Sequence, residues 1–237
     1  GNIIGKSPAM QKVYELIVRA AGSDANVVIY GESGTGKELV AQAIHRMSNR
    51  SEKAFVPVNC HAIPDALLES EFFGHRKGAF TGADKPRGGM IEQASEGTLF
   101  LDEIGDLNNN LQVKILRLLN NGEYYPLGSD VAKQSDARIV VATNQDIHVM
   151  QESGSFRKDL YYRLLAHHVH LPPLRDRKDD LPILLAHFLE KASKALDVKQ
   201  PTTPKELDTL LGAYLFPGNI RELGSMIFDA VSLHESG

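Results

Sequence analysis

A single stretch narrows the fold more than any other. Val27, Val28 and Ile29 form a short β-branched run between Asn26 and Tyr30, and Gly31-Glu32-Ser33-Gly34-Thr35-Gly36-Lys37 follows it directly. Such a run reads as a strand buried on both faces of a parallel sheet. The glycines let backbone N–H groups curl around phosphates. The helix opening at Glu38 favours negative charge at its N-terminus, and Lys37 adds a cation for the outer phosphates. Strand, loop and helix therefore occur in the order that a phosphate site needs. The pattern usually ends in Ser or Thr, whose hydroxyl ligates magnesium; here that position is Glu38. A glycine loop that binds no nucleotide is the competing reading, and the strand and helix on either side weigh against it.

The rest of the chain extends the same alternation. Ser7-Pro8 starts a helix, with a cap followed by proline at the first helical position. Phe55 to Val58 reads as a strand, Pro64 to Phe72 as a helix, Leu99 to Leu101 as a strand, and Leu111 to Leu119 as an amphipathic helix stopped by Gly122. Ile139 to Ala142 and Val169 to Leu171 supply two more strands. Alternating strands and helices imply a parallel sheet with helices on both faces. Beyond Pro172-Pro173 the apolar residues, from Leu181 through Leu233, fall only at helical spacings, so a small all-helical subdomain is expected there.

Gly97-Thr98-Leu99-Phe100-Leu101-Asp102-Glu103 is an apolar strand that delivers two carboxylates to its C-terminal end, the edge where α/β sheets bind ligands. Beside a phosphate loop, Asp102 would organise hydrated magnesium and Glu103 would polarise the attacking water. Asn59 and Asn144 each end a strand and by chemistry alone are polar strand-end residues; an amide at Asn144 could reach the outer phosphate or its water. Arg157 and Arg163, six apart, would lie about 600° round a helix and so about 120° out of register. Taken alone, they read as surface arginines making local ion pairs.

Nothing in nucleotide chemistry requires Gly78-Ala79-Phe80-Thr81-Gly82-Ala83, an apolar tip flanked by glycines; its plain reading is a surface turn with one exposed Phe. All six positions are identical to the GAFTGA loop by which bacterial enhancer-binding proteins, members of the AAA+ family, engage the sigma-54 form of RNA polymerase. The resemblance runs from Ile4 through Ser225. GESGTGKE at 31–38 is common in that family and accounts for Glu38. Phe156-Arg157-Lys158-Asp159-Leu160-Tyr161-Tyr162-Arg163-Leu164 resembles its arginine-finger region, and Thr143-Asn144 its sensor I. Phe216-Pro217-Gly218-Asn219-Ile220-Arg221-Glu222-Leu223 resembles its sensor II with Phe216 in place of the usual Trp, which implies a change in packing. Leu174 to Asp180 resembles its LRxRxxD linker, although a solvated charge run fits that segment equally well.

The resemblance implies an α/β fold, an AAA+ P-loop NTPase with a parallel sheet sandwiched by helices (1–172) and then a helical lid (173–237). It implies ATP and Mg2+ as cofactors, the ion held by Asp102 through water, and nucleotide contacts from Gly31, Glu32, Ser33, Gly34, Thr35, Gly36, Lys37, Glu38, Asn144 and Arg221. Asp102, Glu103, Arg157 and Arg163 would be catalytic, the arginines acting on a neighbouring subunit of a ring, expected to be a hexamer. Asn59 would relay nucleotide state to the 78–83 loop, and Gly78, Ala79, Phe80, Thr81, Gly82 and Ala83 would contact sigma-54 RNA polymerase holoenzyme. The expected function is ATP-driven remodelling of the closed promoter complex. The alternatives are a nucleotide-binding regulator of the same fold that does not remodel, and a generic AAA+ machine such as an unfoldase; the intact 78–83 and 97–103 motifs weigh against the first, and GAFTGA against the second.

Composition adds bounds. The net charge of −4 argues against broad binding to DNA phosphates. The single cysteine, Cys60, fits a reducing cytoplasm and reads as a small buried residue. No apolar run approaches the ~20 residues that span a bilayer. The chain opens at Gly1 without Met, which suggests an excised central domain, with promoter or enhancer DNA bound by a helix-turn-helix beyond Gly237. His167, His168 and His170 lack the Cys, Asp or Glu neighbours of a metal site and read as ordinary strand residues.

Overall fold

The computed structural model describes residues 2–204 and 206–233; the ends of the expected domains, at Gly1 and over 234–237, lie outside the described residues. In chain order, α1 (Pro8–Ala21), β1 (Val27–Tyr30) and α2 (Lys37–Arg46) precede β2 (Phe55–Asn59), α3 (Asp65–Phe73), α4 (Met90–Gln93) and β3 (Thr98–Asp102). Next come α5 (Asn109–Asn121), two short strands β4 (Glu123–Tyr124) and β5 (Lys133–Gln134), β6 (Arg138–Thr143), α6 (Ile147–Glu152), α7 (Lys158–Leu164) and β7 (His167–His170). The helices α8 (Leu181–Leu196), α9 (Glu206–Ala213) and α10 (Asn219–Ser232) follow.

The chain divides into two compact units, one made of Gly1–Glu15, Gly31–Leu39 and His170–Gly237, the other of Leu16–Tyr30 and Val40–Val169. The second unit is built on a sheet of order β2-β3-β6-β1-β7, in which the β2–β3, β3–β6 and β1–β6 ladders are parallel. Register sets Asn59 opposite Asp102 and Tyr30 opposite Thr143, so the polar strand ends share one edge. Both faces of the central strands are buried: Val27, Val28 and Ile29 are all fully enclosed, as are Leu99 and Leu101. One face joins Val28, Leu99, Leu101 and Val141 to Phe72, Ile115 and Leu160 from α3, α5 and α7. On the other, His45 of α2 shares a hydrogen bond with Thr98 at 2.9 Å and packs on Phe55, which in turn stacks on Phe100. That double burial is why the strands read as unbroken apolar runs rather than alternating ones.

Local signals behave as their chemistry dictates. Ser7 Oγ accepts from Met10 N at the start of α1. Asn108 Oδ1 accepts from Leu111 N at 3.1 Å, capping α5, and Gly122 ends that helix at φ +71°. One expectation needs correction, and one pairing was not foreseen. The last strand of the sheet is His167–His170 rather than Val169–Leu171. It lies at the sheet edge with Val169 alone buried, and His167 N pairs with Asn26 O at 3.2 Å, so pairing rather than apolar content fixes its limits. The antiparallel pair β4–β5 was not expected, since Glu123-Tyr124 and Lys133-Gln134 carry no strand pattern.

In the first unit, α8, α9 and α10 enclose a core of Leu184, Leu185, Leu189, Leu211, Leu223 and Ile227, closed by Phe216. Phe216 is fully buried and meets Tyr214 edge-on at 5.0 Å, so the aromatic plug is kept without an indole.

Candidate functional site

In the first unit the phosphate loop is already curled. Gly34 and Gly36 take φ +79° and +100°, and Thr35 Oγ1 bonds back to Glu32 O at 2.7 Å. Lys37 is buried and its Nζ donates to Gly31 O at 2.9 Å, which holds the ammonium inside the loop's curve. Glu38 lies in the first turn of α2. Beside Thr35 and Gly36 is a cavity of about 320 Å³ whose walls include Ile3, Ile4, Leu39 and Phe188. An apolar slot next to a loop of N–H donors suits a ligand with a flat ring at one end and anionic groups at the other.

Glu32 is paired rather than bare. Its carboxylate takes a two-pronged ion pair from Arg175, at 2.8 and 2.5 Å, and a hydrogen bond from Asn219 Nδ2 at 3.1 Å. Arg175 and then Asn219 hold its pKa down at about 2. Arg221 Nη1 donates to Ser33 Oγ at 3.0 Å. The segment 174–180, which fits a solvated charge run by sequence, is not one. Asp180 is fully buried and accepts from Lys6 N, Ser7 N and Ser7 Oγ, while Arg177 is 2% exposed and donates to Thr35 O. Burial drives the Arg177 pKa down. Its partners come from the N-terminal segment and the phosphate loop, so no local pattern discloses them.

In the second unit the acidic pair sits at the end of β3. Glu103 adopts φ +55°, and its Oε2 accepts from Asn144 N at 3.1 Å. This joins two of the expected site residues, although through the Asn144 backbone rather than its amide. Asn59 Oδ1 accepts from His61 N and Ala62 N, capping its own turn, and Asn59 remains the register partner of Asp102. Cys60 is buried, and that burial pushes its thiol up to about 12, so it stays protonated.

Arg157 and Arg163 do not share a helix. Arg157 is the N-cap of α7 at ψ 133°, outside the helix, and forks onto Asp159 at 3.0 and 2.7 Å. The helical angle between the two therefore has no meaning, because regular φ/ψ begins only at Lys158. Arg163 donates through Nε and Nη2 to Leu119 O. Gln112, fully buried, accepts from Arg157 N at 2.8 Å and donates to Leu107 O and Ser155 O, so it positions this segment. His167 is hydrogen-bonded to Ser23 Oγ, and His168 stacks on Tyr30.

The 78–83 loop lies between α3 and α4. Gly78 and Gly82 have φ +80° and +98°, and nothing stands within 4 Å of where their Cβ atoms would be. Gly78 N bonds to Ala83 O at 2.8 Å, closing the loop at its base. Ala83 is buried, Thr81 exposed, and Phe80 41% exposed. The Phe80 ring meets His75 edge-on at 5.0 Å, and His75 Nδ1 is held by Ser70 Oγ at 2.8 Å.

These features define a P-loop nucleoside triphosphatase fold of the AAA+ class with a helical lid. The sequence pattern of the sigma-54 interaction domain matches residues 3–170, and that of an AAA+ ATPase lid domain matches 175–237. The chain belongs to the sigma-54-dependent activator family. It is 48% identical over 222 residues to the DNA-binding transcriptional regulator NtrC of Klebsiella pneumoniae, covering 94% of this chain and 47% of that protein. It is also 48% identical over 234 residues to the regulatory protein AtoC of Escherichia coli K12, covering 99% and 51%. The crystal structure of NtrX from Brucella abortus in complex with ATP superimposes with a TM-score of 0.92 at 33% identity, covering 98% of this chain and 50% of that one. The chain thus spans about half the length of the curated relatives it matches. Among the described residues no helix is long and apolar enough to cross a membrane.

Proposed function

We propose that this chain hydrolyses ATP and uses the cycle to press the 78–83 loop against sigma-54 RNA polymerase, remodelling the closed promoter complex. The observation that carries the proposal is the loop itself: an exposed Phe80 between two glycines at positive φ, each with open space where its Cβ would be, and closed at its base. Binding residues are disproportionately carried on loops that a rigid scaffold positions.

In this reading the base of ATP occupies the apolar cavity, and the loop N–H groups and Lys37 hold its phosphates. Asp102 would hold magnesium, which would neutralise phosphate charge when bound. The donors fit that ion, since the Asp102 carboxylate ends β3 and that of Glu103 follows directly. Glu103 takes the proton of the attacking water as general base, its carboxylate oriented by Asn144 N. Arg221 reaches the nucleotide from the lid, and Arg157 and Arg163 act on the nucleotide of a neighbouring subunit in a ring, taken to be hexameric. Asn59 relays phosphate state to the loop. The boundary between the nucleotide-binding subdomain and the lid is taken at 172/173. Promoter or enhancer DNA would be engaged by a separate domain of the whole protein, acting in the cytoplasm.

The test is co-elution of the chain with purified sigma-54, with and without an ATP transition-state analogue. Binding with the analogue alone is the expected result. A chain that forms rings and hydrolyses ATP yet never binds sigma-54 would instead be a regulator that has kept the fold without the remodelling.

A further inference from the structure

Asn219 has an unusual combination of properties. It carries a side chain at φ +54°, a region disfavoured for residues other than glycine though tolerated by Asn. It is fully buried, and its amide is used on both sides. Oδ1 accepts from Leu174 N at 2.8 Å; Nδ2 donates to Glu32 Oε2 and to Ser33 O, each at 3.1 Å. A single side chain thus ties the turn that bears Arg175 to the phosphate loop. Strain of this kind persists only where the surroundings over-determine it, which happens at functional positions.

The next two residues continue the attachment. The N–H groups of Ile220 and Arg221 donate to Gly34 O at 3.1 and 3.3 Å. At Gly34 an added Cβ would lie 2.3 Å from Gly218 O, so the two backbones are as close as glycine permits. The Arg221 side chain therefore starts from a point fixed to the loop, and its Nη1 reaches Ser33 Oγ. Glu32 completes the arrangement. A bare carboxylate beside a phosphate loop would repel the ligand; the two-pronged pair with Arg175 neutralises it and turns it towards the lid.

We infer that Glu32, Arg175 and Asn219 form a positioning triad that sets Arg221 against the phosphate loop, so that the triad acts on nucleotide only through Arg221. The inference rests on the nucleotide reading above and assigns these residues a role other than phosphate contact. A triad of this kind makes the effects of Asn219 and Arg221 inseparable.

The experiment is a double-mutant cycle on the intact chain, with affinity for a slowly hydrolysed ATP analogue and for ADP measured by fluorescence titration. Asn219→Gly removes the amide at a φ that glycine adopts freely. Asn219→Gly and Arg221→Ala should each weaken analogue binding about tenfold, and the double variant should be no weaker than either, because coupled neighbours are non-additive. ADP binding should change less. Effects that multiply to about a hundredfold would overturn the triad, since Asn219 would then act independently of Arg221. If Asn219→Gly fails to fold by circular dichroism, Glu32→Ala on the exposed side of the triad takes its place in the same cycle. A folded wild-type chain that binds neither nucleotide would overturn the nucleotide reading and the triad with it, whereas multiplicative effects on a binding-competent chain overturn the triad alone.

Discussion

Gly34 and Gly78 share almost the same φ, at +79° and +80°, yet their surroundings are opposite. A Cβ on Gly34 would strike Gly218 O at 2.3 Å, while one on Gly78 would meet nothing within 4 Å. Alanine at either site pays the same left-handed penalty of about 1–2 kcal/mol. The collision is extra at Gly34, so Gly34→Ala should destabilise the chain by roughly 1–3 kcal/mol more than Gly78→Ala, as overpacking does. Urea denaturation of the two variants measures the difference, and equal midpoints would mean that the two segments are not in contact in solution. Glu32 gives a pH-dependent counterpart. Its folded pKa lies below its ordinary 4.5, at about 2, because Arg175 and Asn219 favour the charged form. A depressed carboxylate contributes stability that is present above the unfolded value and lost as pH falls through the folded one. The melting-temperature advantage of wild type over Glu32→Gln should therefore hold level above about pH 4.5 and shrink towards pH 2. With the Glu32 side chain 43% exposed, solvent screening keeps that advantage small.

At the scale of elements, the 78–83 loop is held at its base and exposed at its tip, where the Phe80 ring meets His75 edge-on. Thr81 is exposed and takes no part in closing the loop, which runs through Gly78 N, Ala79 N and Ala83 N. Thr81→Ala should leave ATP turnover within about twofold of wild type, as surface substitutions do, while transcription from a sigma-54 promoter is lost. A parallel fall in both would make the loop a structural part of the ATPase. This loop, the phosphate loop and the strand ends were legible in sequence because each is a contiguous pattern with its chemistry in adjacent residues. The buried strands of the sheet were legible for the same reason, since burial on both faces writes an unbroken apolar run. The strands β4 and β5 were not, being two residues long with polar side chains. Nor was the burial of Arg177 and Asp180: their partners are Met10 and Thr35 for one and Lys6 and Ser7 for the other, more than a hundred residues away in sequence. Gln112 was missed too, as one polar position on an amphipathic helix whose three hydrogen bonds are made to separate loops.

At the scale of the whole molecule, Arg157 and Arg163 decide whether one chain is enough. Within the chain Arg157, half-buried, is paired with Asp159, and Arg163, exposed, with Leu119 O. An ion pair accounts for the geometry of Arg157, and hydrogen bonds to a carbonyl for that of Arg163, as well as a finger does, so only the oligomer separates the two readings. If the arginines serve a neighbour, a chain lacking Glu103 and a chain lacking Arg163 are each inactive for different reasons. A working site then needs Glu103 from one subunit and Arg163 from the next. In an equal random mixture of Glu103→Gln and Arg163→Ala chains, roughly a quarter of the interfaces bring an intact Glu103 against an intact Arg163. ATP turnover should therefore reappear on mixing, to roughly a quarter of the wild-type rate, because a finger supplied in trans works only across an interface. The same complementation with Arg157→Ala identifies which arginine acts. If mixing restores nothing for either variant while both still assemble, neither arginine acts across an interface, and the Arg157–Asp159 ion pair and the Arg163–Leu119 hydrogen bonds are their local roles.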